Sequence, residues 1–566
     1  METNQHKVKL SCLFIGLLGC FALCVGKLYF IQIHQAHFFS TMGKQQYKVK
    51  IVQTPQRAPI FDRTGTQALA INRESLSAFI VPNSLKDSAT LTRFLKKQFP
   101  QAYERLARQA DKAFMYIKRH LTPEQQACIE QAKLDRVALD RVALGQVPPD
   151  QASTLADIQF LKESKRFYPI EAIGPIIGIT DADNRGITGL ELLYNDMLAG
   201  TPTTSVLEQD ARSGHFYFKK ETETQGITGH PLYLTIDSTL QFLAYNELRK
   251  TLDQFNSPEG AVLIMNPDNG DILAMVNYPD FDPQNTEVLN LEHTKNRIVT
   301  ETYELGSVMK TFFACACLAE GVVTPDTKID CENKTHAIID GMRVNNHVAH
   351  GILSFSEVIE NSNNIGTAKV AVKIGPKLYD HYLRCGFGKK TGITFPGEQK
   401  GHVTHPSTWS KQSLASLSYG YEIRATLLQL GCAFCMLANN GLTIKPRLLL
   451  TSPIEKATTP VYSEKTMQEM REILTKTTTQ GTAKKARMKG YSVMGKTGTA
   501  NLIVNGKYQP DRNIFTFAGI VEKGQYKRVI IAFVKEASKK DIFAATVAVP
   551  LFEQVAERMV INDRVI

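Results

Sequence analysis

The pattern of hydrophobic and polar positions is most distinctive at the start of the chain. Two lysines precede an uncharged stretch over residues 10–26, and the apolar run resumes behind Lys27. Together these provide the roughly 20 residues that a helix needs to cross a bilayer, because Lys27 can extend to the interface. No small-x-small cleavage site follows, so we predict an uncleaved anchor over residues 10–33. The basic tail, residues 1–9, is predicted to remain cytoplasmic, with nearly the whole chain outside.

Farther along, the periodicity changes. Residues 91–132 carry apolar residues at helical spacing. From about residue 260, short apolar runs flank a turn rich in Pro, Asn and Gly, which predicts an antiparallel hairpin. The predicted elements beyond residue 90 are a helical region over 91–132, hairpin strands 261–265 and 272–276, helices 311–318 and 356–372, and strands 514–521 and 529–534. Strands at both ends with helices between them predict one α+β domain whose sheet is closed by its terminal strands.

Composition and charge exclude some functions. The 566 residues carry a net charge of +11, but no dense basic run with interleaved aromatic residues indicates nucleic-acid binding. Seven of the ten cysteines lie outside the predicted anchor, and an odd number cannot all pair. Cys432 and Cys435 have metal-like spacing, but no second pair flanks them. We therefore predict neither a metal nor a cofactor.

The first candidate for chemistry is the sequence Ser307-Val-Met-Lys310 at the start of a predicted helix. A spacing of three places the two side chains on the same face, one turn apart. A neutral amine beside a hydroxyl can take its proton, provided that burial or a nearby cation lowers the pKa of the lysine. By itself this motif is weak, since a capping serine with a solvated lysine has the same spacing.

Two further motifs supply the groups that such a serine would need. Ser362 and Asn364 form a Ser-x-Asn motif, in which the serine can relay a proton to a leaving amine and the asparagine can hold a substrate amide. Lys496 begins a Lys-Thr-Gly-Thr motif and is a second cation that would lower the pKa of Lys310. Three further residues complete the predicted site: Thr497 and Thr499, whose hydroxyls suit a terminal carboxylate, and Gly498, whose missing Cβ allows close substrate approach.

A phosphate-binding loop is the competing interpretation of this region. Residues 490–497 match G-x-x-x-x-G-K-T at every fixed position. A phosphate loop must open a helix, whereas Asn505-Gly506 predicts a hairpin turn flanked by strands. We therefore reject nucleotide binding.

The order Ser-x-x-Lys, Ser-x-Asn, Lys-Thr-Gly is the signature shared by penicillin-binding proteins and serine β-lactamases. Residues 57–65 (RAPIFDRTG), 185–191 (RGITGLE) and 303–306 (YELG) further resemble a class B penicillin-binding protein. Two positions depart from the family pattern, because Ala58 replaces a Gly and Leu305 replaces a Pro. Segments 396–398 and 418–422 resemble the cell-division member of the class.

This resemblance implies both a fold and an organisation. The expected fold is α+β, with an elongated pedestal of the dimerisation type over residues 34–235 and a transpeptidase domain like that of serine β-lactamases over residues 236–566. The implied location is the cytoplasmic membrane, with the catalytic domain on its outer side.

The resemblance also implies a reaction. Ser307 would attack the penultimate D-Ala carbonyl of a peptidoglycan stem peptide while Lys310 takes its proton, and a neighbouring stem's amine would resolve the acyl-enzyme. The backbone N–H groups of Ser307 and Thr499 would bind the oxyanion. Implied partners are stem peptides, β-lactam antibiotics, other division proteins and a membrane glycosyltransferase of the SEDS family.

Several alternatives stay open on the sequence. They are an elongation-specific transpeptidase, a carboxypeptidase or β-lactamase-type hydrolase, and a non-catalytic β-lactam receptor or septal scaffold on the same fold. The anchor and the long pedestal favour transfer over hydrolysis, and the intact motifs argue against a dead site.

Overall fold

The computed structural model describes residues 2–53, 55–85, 88–112, 114–142, 154–209, 216–285, 289–538 and 542–565. The helices are α1 (Glu2–Tyr29), α2 (Ala36–Tyr47), α3 (Ser88–Gln98), α4 (Pro100–Arg108), α5 (Pro123–Val142), α6 (Gly174–Ile177), α7 (Gly189–Leu193), α8 (Asn195–Ala199), α9 (Ser238–Phe255), α10 (Arg297–Thr300), α11 (Lys310–Ala319), α12 (Phe355–Glu360), α13 (Asn364–Ile374), α14 (Lys377–Arg384), α15 (Ser413–Ser418), α16 (Leu427–Ala438), α17 (Glu464–Thr479) and α18 (Ala548–Asn562).

The strands are β1 (Lys48–Gln53), β2 (Ile60–Phe61), β3 (Ala68–Ile80), β4 (Met115–Lys118), β5 (Gln159–Phe167), β6 (Thr203–Gln209), β7 (Phe216–Thr224), β8 (Leu232–Tyr233), β9 (Glu259–Met265), β10 (Ile272–Tyr278), β11 (Lys328–Asp330), β12 (His336–Ile339), β13 (Met342–Asn345), β14 (Ile352–Ser354), β15 (His402–Val403), β16 (Ile423–Arg424), β17 (Ser492–Val504), β18 (Lys507–Lys523) and β19 (Tyr526–Lys535).

The chain divides into two compact units. The first comprises residues 1–56 and 199–229, and the second residues 57–198 and 230–566. The domain boundary that we predict between residues 235 and 236 falls inside the second unit and stays a prediction.

The first unit contains the predicted anchor. Helix α1 and the π-helical turn Phe30–His34 that follows it form, over Lys7–His34, a helix long and apolar enough to cross a membrane. None of its most apolar window is covered by the rest of the protein. The helix agrees with the anchor predicted for residues 10–33, because an apolar surface of this length without protein neighbours suits lipid. Beyond α2, strands β1, β6 and β7 form an antiparallel sheet.

The amino-terminal part of the second unit is built around the long strand β3, which pairs with β2, β4 and β5. The helical region predicted for residues 91–132 is wrong as a single element. Pro100 and Pro123 each begin a new helix, which suits a residue that lacks an N–H donor. Between these helices, the alternating burial of Met115 and Ile117 belongs to strand β4, which pairs with β3.

The rest of the second unit is organised by a five-stranded antiparallel sheet in the order β10-β9-β19-β18-β17. Helices α9 and α18 cover one face, and α11 and α16 pack on the other side. The predicted hairpin is confirmed as β9 and β10, and the predicted terminal strands as β18 and β19. Because β9 pairs with β19, the terminal strands close the sheet as predicted.

One predicted helix in this part is interrupted. Instead of a continuous helix over residues 356–372, α12 ends at Glu360 and α13 begins at Asn364. Between them Ser362 has a φ of 57°, in the left-handed region. A helix cannot continue through this conformation, so the break presents the Ser-x-Asn motif at a turn.

Candidate active site

The predicted nucleophile lies on a 3₁₀ turn, Gly306–Met309, that leads into α11. Ser307 is half-buried, whereas Val308, Met309 and Lys310 are buried. One turn of helix therefore carries a partly exposed hydroxyl at its start and an enclosed amine at its end, as the spacing of three predicts.

Lys310 joins the first motif to the second. Its Nζ donates hydrogen bonds to Ser362 O at 2.6 Å, Ser362 Oγ at 3.2 Å and Asn364 Oδ1 at 2.6 Å. Burial lowers the pKa of Lys310 well below its ordinary value, and the positive charge of Lys496 lowers it further. The neutral amine that the sequence predicts is thus favoured mainly by desolvation, with the second cation as the smaller contribution.

The Ser-x-Asn turn is held by its own side chains. The fully buried Asn363 caps α13 by accepting a hydrogen bond from Gly366 N at 2.8 Å. Asn364 donates from Nδ2 to Asn345 O at 2.8 Å and from its backbone N to Asn346 Oδ1 at 3.0 Å. A non-glycine residue in the left-handed region costs of the order of 1 kcal/mol, and these bonds hold Ser362 in that conformation.

Lys496 brings the third motif beside the first two. Its side chain is fully buried, and Nζ lies 3.2 Å from Thr497 O and 3.4 Å from Thr497 Oγ1. Burial lowers the pKa of Lys496 to about 7.

The structure gives a reason for glycine at position 498 that the sequence did not reveal. A Cβ at this position would lie 2.4 Å from Leu305 O and 3.2 Å from Val308 N. Strand β17 therefore packs directly on the backbone of the nucleophile turn, which only a glycine allows. Leu305 itself is buried, so the departure from the family's Pro lies in the core.

The outer edge of β17 is protected over its first part. Thr477 Oγ1 donates to Gly495 O, and Thr478 Oγ1 donates to Val493 O at 2.5 Å. Because backbone groups alternate along a strand, the carbonyl and N–H groups of Thr497 and Thr499 also point to this outer edge. The direction of the Thr499 N–H therefore suits the predicted oxyanion donor.

The two threonine hydroxyls of this motif already have protein neighbours. Thr497 Oγ1 lies 3.1 Å from Thr482 Oγ1, and Thr499 Oγ1 accepts a hydrogen bond from Ala544 N at 3.2 Å. Each hydroxyl keeps donor or acceptor capacity for a ligand, because a hydroxyl has one donor and two acceptor positions.

Sequence reasoning gave no contact or role to several residues that connect distant segments near the site. Glu304 accepts hydrogen bonds from Glu422 N at 3.1 Å and from Tyr508 Oη at 3.0 Å. Tyr421 Oη accepts one from Asn501 N at 3.2 Å. These residues come from loops and a strand that are distant in the chain, so no spacing in the sequence could have indicated their contacts.

The fold and the site together define a class of protein. An antiparallel sheet with helices on both faces carries Ser-x-x-Lys, Ser-x-Asn and Lys-Thr-Gly motifs that meet around Lys310. This is the arrangement expected of the class that contains penicillin-binding proteins and serine β-lactamases.

Comparison with known proteins specifies the family. The model of the penicillin-binding protein transpeptidase domain matches residues 260–557, and that of the penicillin-binding protein dimerisation domain matches residues 52–234. The chain belongs to the penicillin-binding protein transpeptidase family, and this pair of domains makes it a class B member.

Similar proteins from several bacteria are matched over nearly their whole length. The chain is 28% identical to the probable peptidoglycan D,D-transpeptidase PbpC of Pseudomonas aeruginosa, covering 94% of this chain and 91% of that protein. It is 28% identical to the probable D,D-transpeptidase PenA of Neisseria gonorrhoeae (97% and 91%) and 26% identical to the D,D-transpeptidase FtsI of Escherichia coli (97% and 91%). The solved structure of penicillin-binding protein 3 of Mycobacterium tuberculosis shares the fold, with a TM-score of 0.66 at 23% identity over 91% of this chain and 98% of that one.

Proposed function

We propose that this protein is a peptidoglycan D,D-transpeptidase that works through an acyl-enzyme on Ser307. The observation that carries the proposal is the buried Nζ of Lys310, one turn from Ser307 and bonded to Ser362 and Asn364. The names of the similar proteins support the same reaction class.

In the first half-reaction Lys310 acts as the general base. The depressed pKa favours the neutral amine, which can take the proton of Ser307 as Oγ attacks the penultimate D-Ala carbonyl. Ser362 Oγ, 3.2 Å from Lys310 Nζ, passes a proton to the nitrogen of the departing D-Ala and regains one from Lys310, which returns to its neutral form. The products are an ester on Ser307 and free D-Ala.

Strand β17 binds the developing charges. The N–H groups of Ser307 and Thr499 donate hydrogen bonds to the oxyanion. In an enclosed site such donors stabilise the transition state by several kcal/mol. The terminal carboxylate of the donor is held by the hydroxyls of Thr497 and Thr499 and by the charge of Lys496. Gly498 lets this strand approach the nucleophile turn closely enough for both tasks.

Mass spectrometry of the full chain in detergent after incubation with benzylpenicillin tests the assignment. We expect one adduct, on Ser307, that is absent from Ser307→Ala and unchanged in Ser492→Ala, which removes an exposed serine at the start of β17. An adduct that persists in Ser307→Ala would refute the nucleophile. A Ser307 adduct that is lost within seconds would indicate a β-lactamase-type hydrolase instead.

We further propose that the catalytic part lies outside the cytoplasmic membrane and acts at the division septum. The basic tail before the apolar helix supports this orientation, and the similarity to FtsI supports the septal role. Fluorescent penicillin bound by this protein in living cells should concentrate at the division site. A uniform distribution along the cell wall would instead support a role in elongation.

A glycosyltransferase partner follows from the proposed domain organisation. Residues 34–235 are assigned to a pedestal and residues 236–566 to the transpeptidase domain, which leaves glycan polymerisation to a SEDS-family protein. Reconstitution with lipid-linked disaccharide peptide should give cross-links only when that partner is added. Glycan chains made by this protein alone would overturn the assignment.

A further inference from the structure

His347 lies on the loop after β13. In the sequence it directly follows two residues that are hydrogen-bonded to the Ser-x-Asn motif. Asn364 donates to Asn345 O at 2.8 Å and to Asn346 Oδ1 at 3.0 Å. Two hydrogen bonds thus fix the backbone and the side chain of the two residues that precede His347. The segment that leads to His347 is therefore tied to the second motif, although it lies on a loop.

On its other side His347 reaches the third motif. Its ring contacts the ring of Phe543 edge to face, with 5.0 Å between centroids. The next residue, Ala544, donates from its backbone N to Thr499 Oγ1 at 3.2 Å. His347 and Phe543 consequently join the Ser-x-Asn side of the cleft to the Lys-Thr-Gly side.

The surroundings of this imidazole favour its neutral form. Burial is the larger cause that lowers the pKa of His347, and the positive charge of Lys310 is the smaller one. The charge that contributes to this shift is that of Lys310 in its protonated form, and Phe543 presents only a ring to the imidazole. Because His347 is exposed to solvent, its neutral imidazole can accept a proton.

We infer that His347 is the base for the acceptor amine in the second half-reaction. This rests on the proposed transpeptidase function, in which Lys310 and Ser362 serve the nucleophile side. The incoming ammonium gives one proton to the imidazole, and the neutral nitrogen attacks the ester carbonyl of Ser307. As the bond between that carbonyl and Ser307 Oγ breaks, the nitrogen's second proton passes through Ser362 and Lys310 to Oγ, and the imidazolium releases its proton to water.

The test separates the two half-reactions in the full chain. His347→Gln should form the benzylpenicillin adduct within about twofold of the normal rate. Transfer from a benzoyl-D-alanyl thioester to D-alanine should fall by about 10²-fold, a typical loss for a general base. The pH profile of transfer should also lose its acid limb below the ordinary histidine pKa, an effect that a merely structural role would not produce.

His336→Gln is the matched control, because His336 is exposed on β12 and lies opposite Asn345. It should leave both half-reactions unchanged. Transfer at the normal rate and with the normal pH profile in His347→Gln would overturn the inference while leaving the proposed function intact. Loss of both half-reactions in a folded His347→Gln protein would also overturn it, since His347 would then act on the nucleophile side. Failure of the unaltered protein to form a Ser307 adduct would contradict the proposed function itself.

Discussion

Two groups of buried charged residues lie in the second unit. One combines opposite charges, and the other combines two residues of the same charge type. In the amino-terminal part, Glu191 lies between two arginines, with Arg57 Nε 2.6 Å from Oε2 and Arg166 Nε 2.7 Å from Oε1. In the cleft, two buried lysines share one environment, and neither forms an ion pair with any residue that the structure describes.

The difference separates a structural cluster from a chemical one. In the first group both carboxylate oxygens of Glu191 are engaged by arginines, and these salt bridges connect the segment 57–65 to the segment 185–191. Like charges in a buried site cannot both stay protonated, so at least one becomes a neutral amine. The same burial that makes Glu191 rigid and paired makes Lys310 a base.

The largest effect should follow from removing that base. Lys310→Met keeps the length of the side chain without its amine, so acylation by benzylpenicillin should fall by about 10² to 10⁴-fold. Circular dichroism should remain native. A normal acylation rate in stopped-flow measurements would assign the base to another residue. The buried lysine would then not differ in function from the buried charges around Glu191.

Breaking the arginine cluster should act on stability instead. Glu191→Gln leaves two buried guanidinium groups without their carboxylate, which should reduce the free energy of unfolding by about 3–5 kcal/mol. Urea unfolding followed by the fluorescence of Trp409, the chain's single tryptophan, measures this in the same compact unit. Below the unfolding transition the remaining folded protein should acylate normally, and slow acylation there would mean that the cluster also shapes the cleft.

The second lysine should have a smaller effect on the base. Lys496→Met removes a positive charge beside Lys310, so the pKa of Lys310 should rise and the acid limb of the acylation profile should move to higher pH. The movement should be modest because burial is the larger cause of the shift. A limb that stays in place while affinity falls would make Lys496 a carboxylate clamp only.

The smallest effect is expected at an exposed pair. Glu74 and Lys162 lie 2.8 Å apart, but both side chains are largely exposed. Glu74→Gln should change the free energy of unfolding by less than about 0.5 kcal/mol. A loss comparable with that of Glu191→Gln would show that burial is not what distinguishes the two ion pairs.

The sequence was informative where chemistry and periodicity are local. The spacing of Ser307 and Lys310 predicts their shared face, and the apolar runs predict the hairpin of β9 and β10. The order of the three motifs predicts that Lys310, Ser362 and Lys496 belong to one site. Their roles in catalysis stay proposals until the variants are measured.

Other features depend on contacts between distant segments. The left-handed conformation of Ser362 interrupts a region whose composition is helical throughout. Strand β4 is too short for its alternating pattern to be recognised between the neighbouring helices. The reason for Gly498 is the carbonyl of Leu305, nearly 200 residues earlier. His347 carried no signal, because its position depends on Phe543 and Asn364.

The most direct test of the comparison is the pH dependence of stability in Lys496→Met. In the folded protein the pKa of Lys496 is about 7, against an ordinary value of 10.5. Between these values the unfolded chain binds a proton that the folded chain does not, so stability rises with pH by up to about 1.4 kcal/mol per unit. Replacing the lysine removes this pH-dependent term, so Lys496→Met should be more stable than the unaltered chain at pH 7, and the difference should shrink by up to about 1.4 kcal/mol for each unit of pH towards 10.5.

The measurement is urea unfolding of the unaltered chain and of Lys496→Met, both in detergent and both followed through Trp409, at intervals from pH 6.5 to 9.5. The account predicts that the variant is the more stable protein at pH 7 and that the two curves converge as the pH rises. Parallel curves, or a variant destabilised as Glu191→Gln is expected to be, would contradict the claim that the buried lysines of the cleft are kept at the expense of stability.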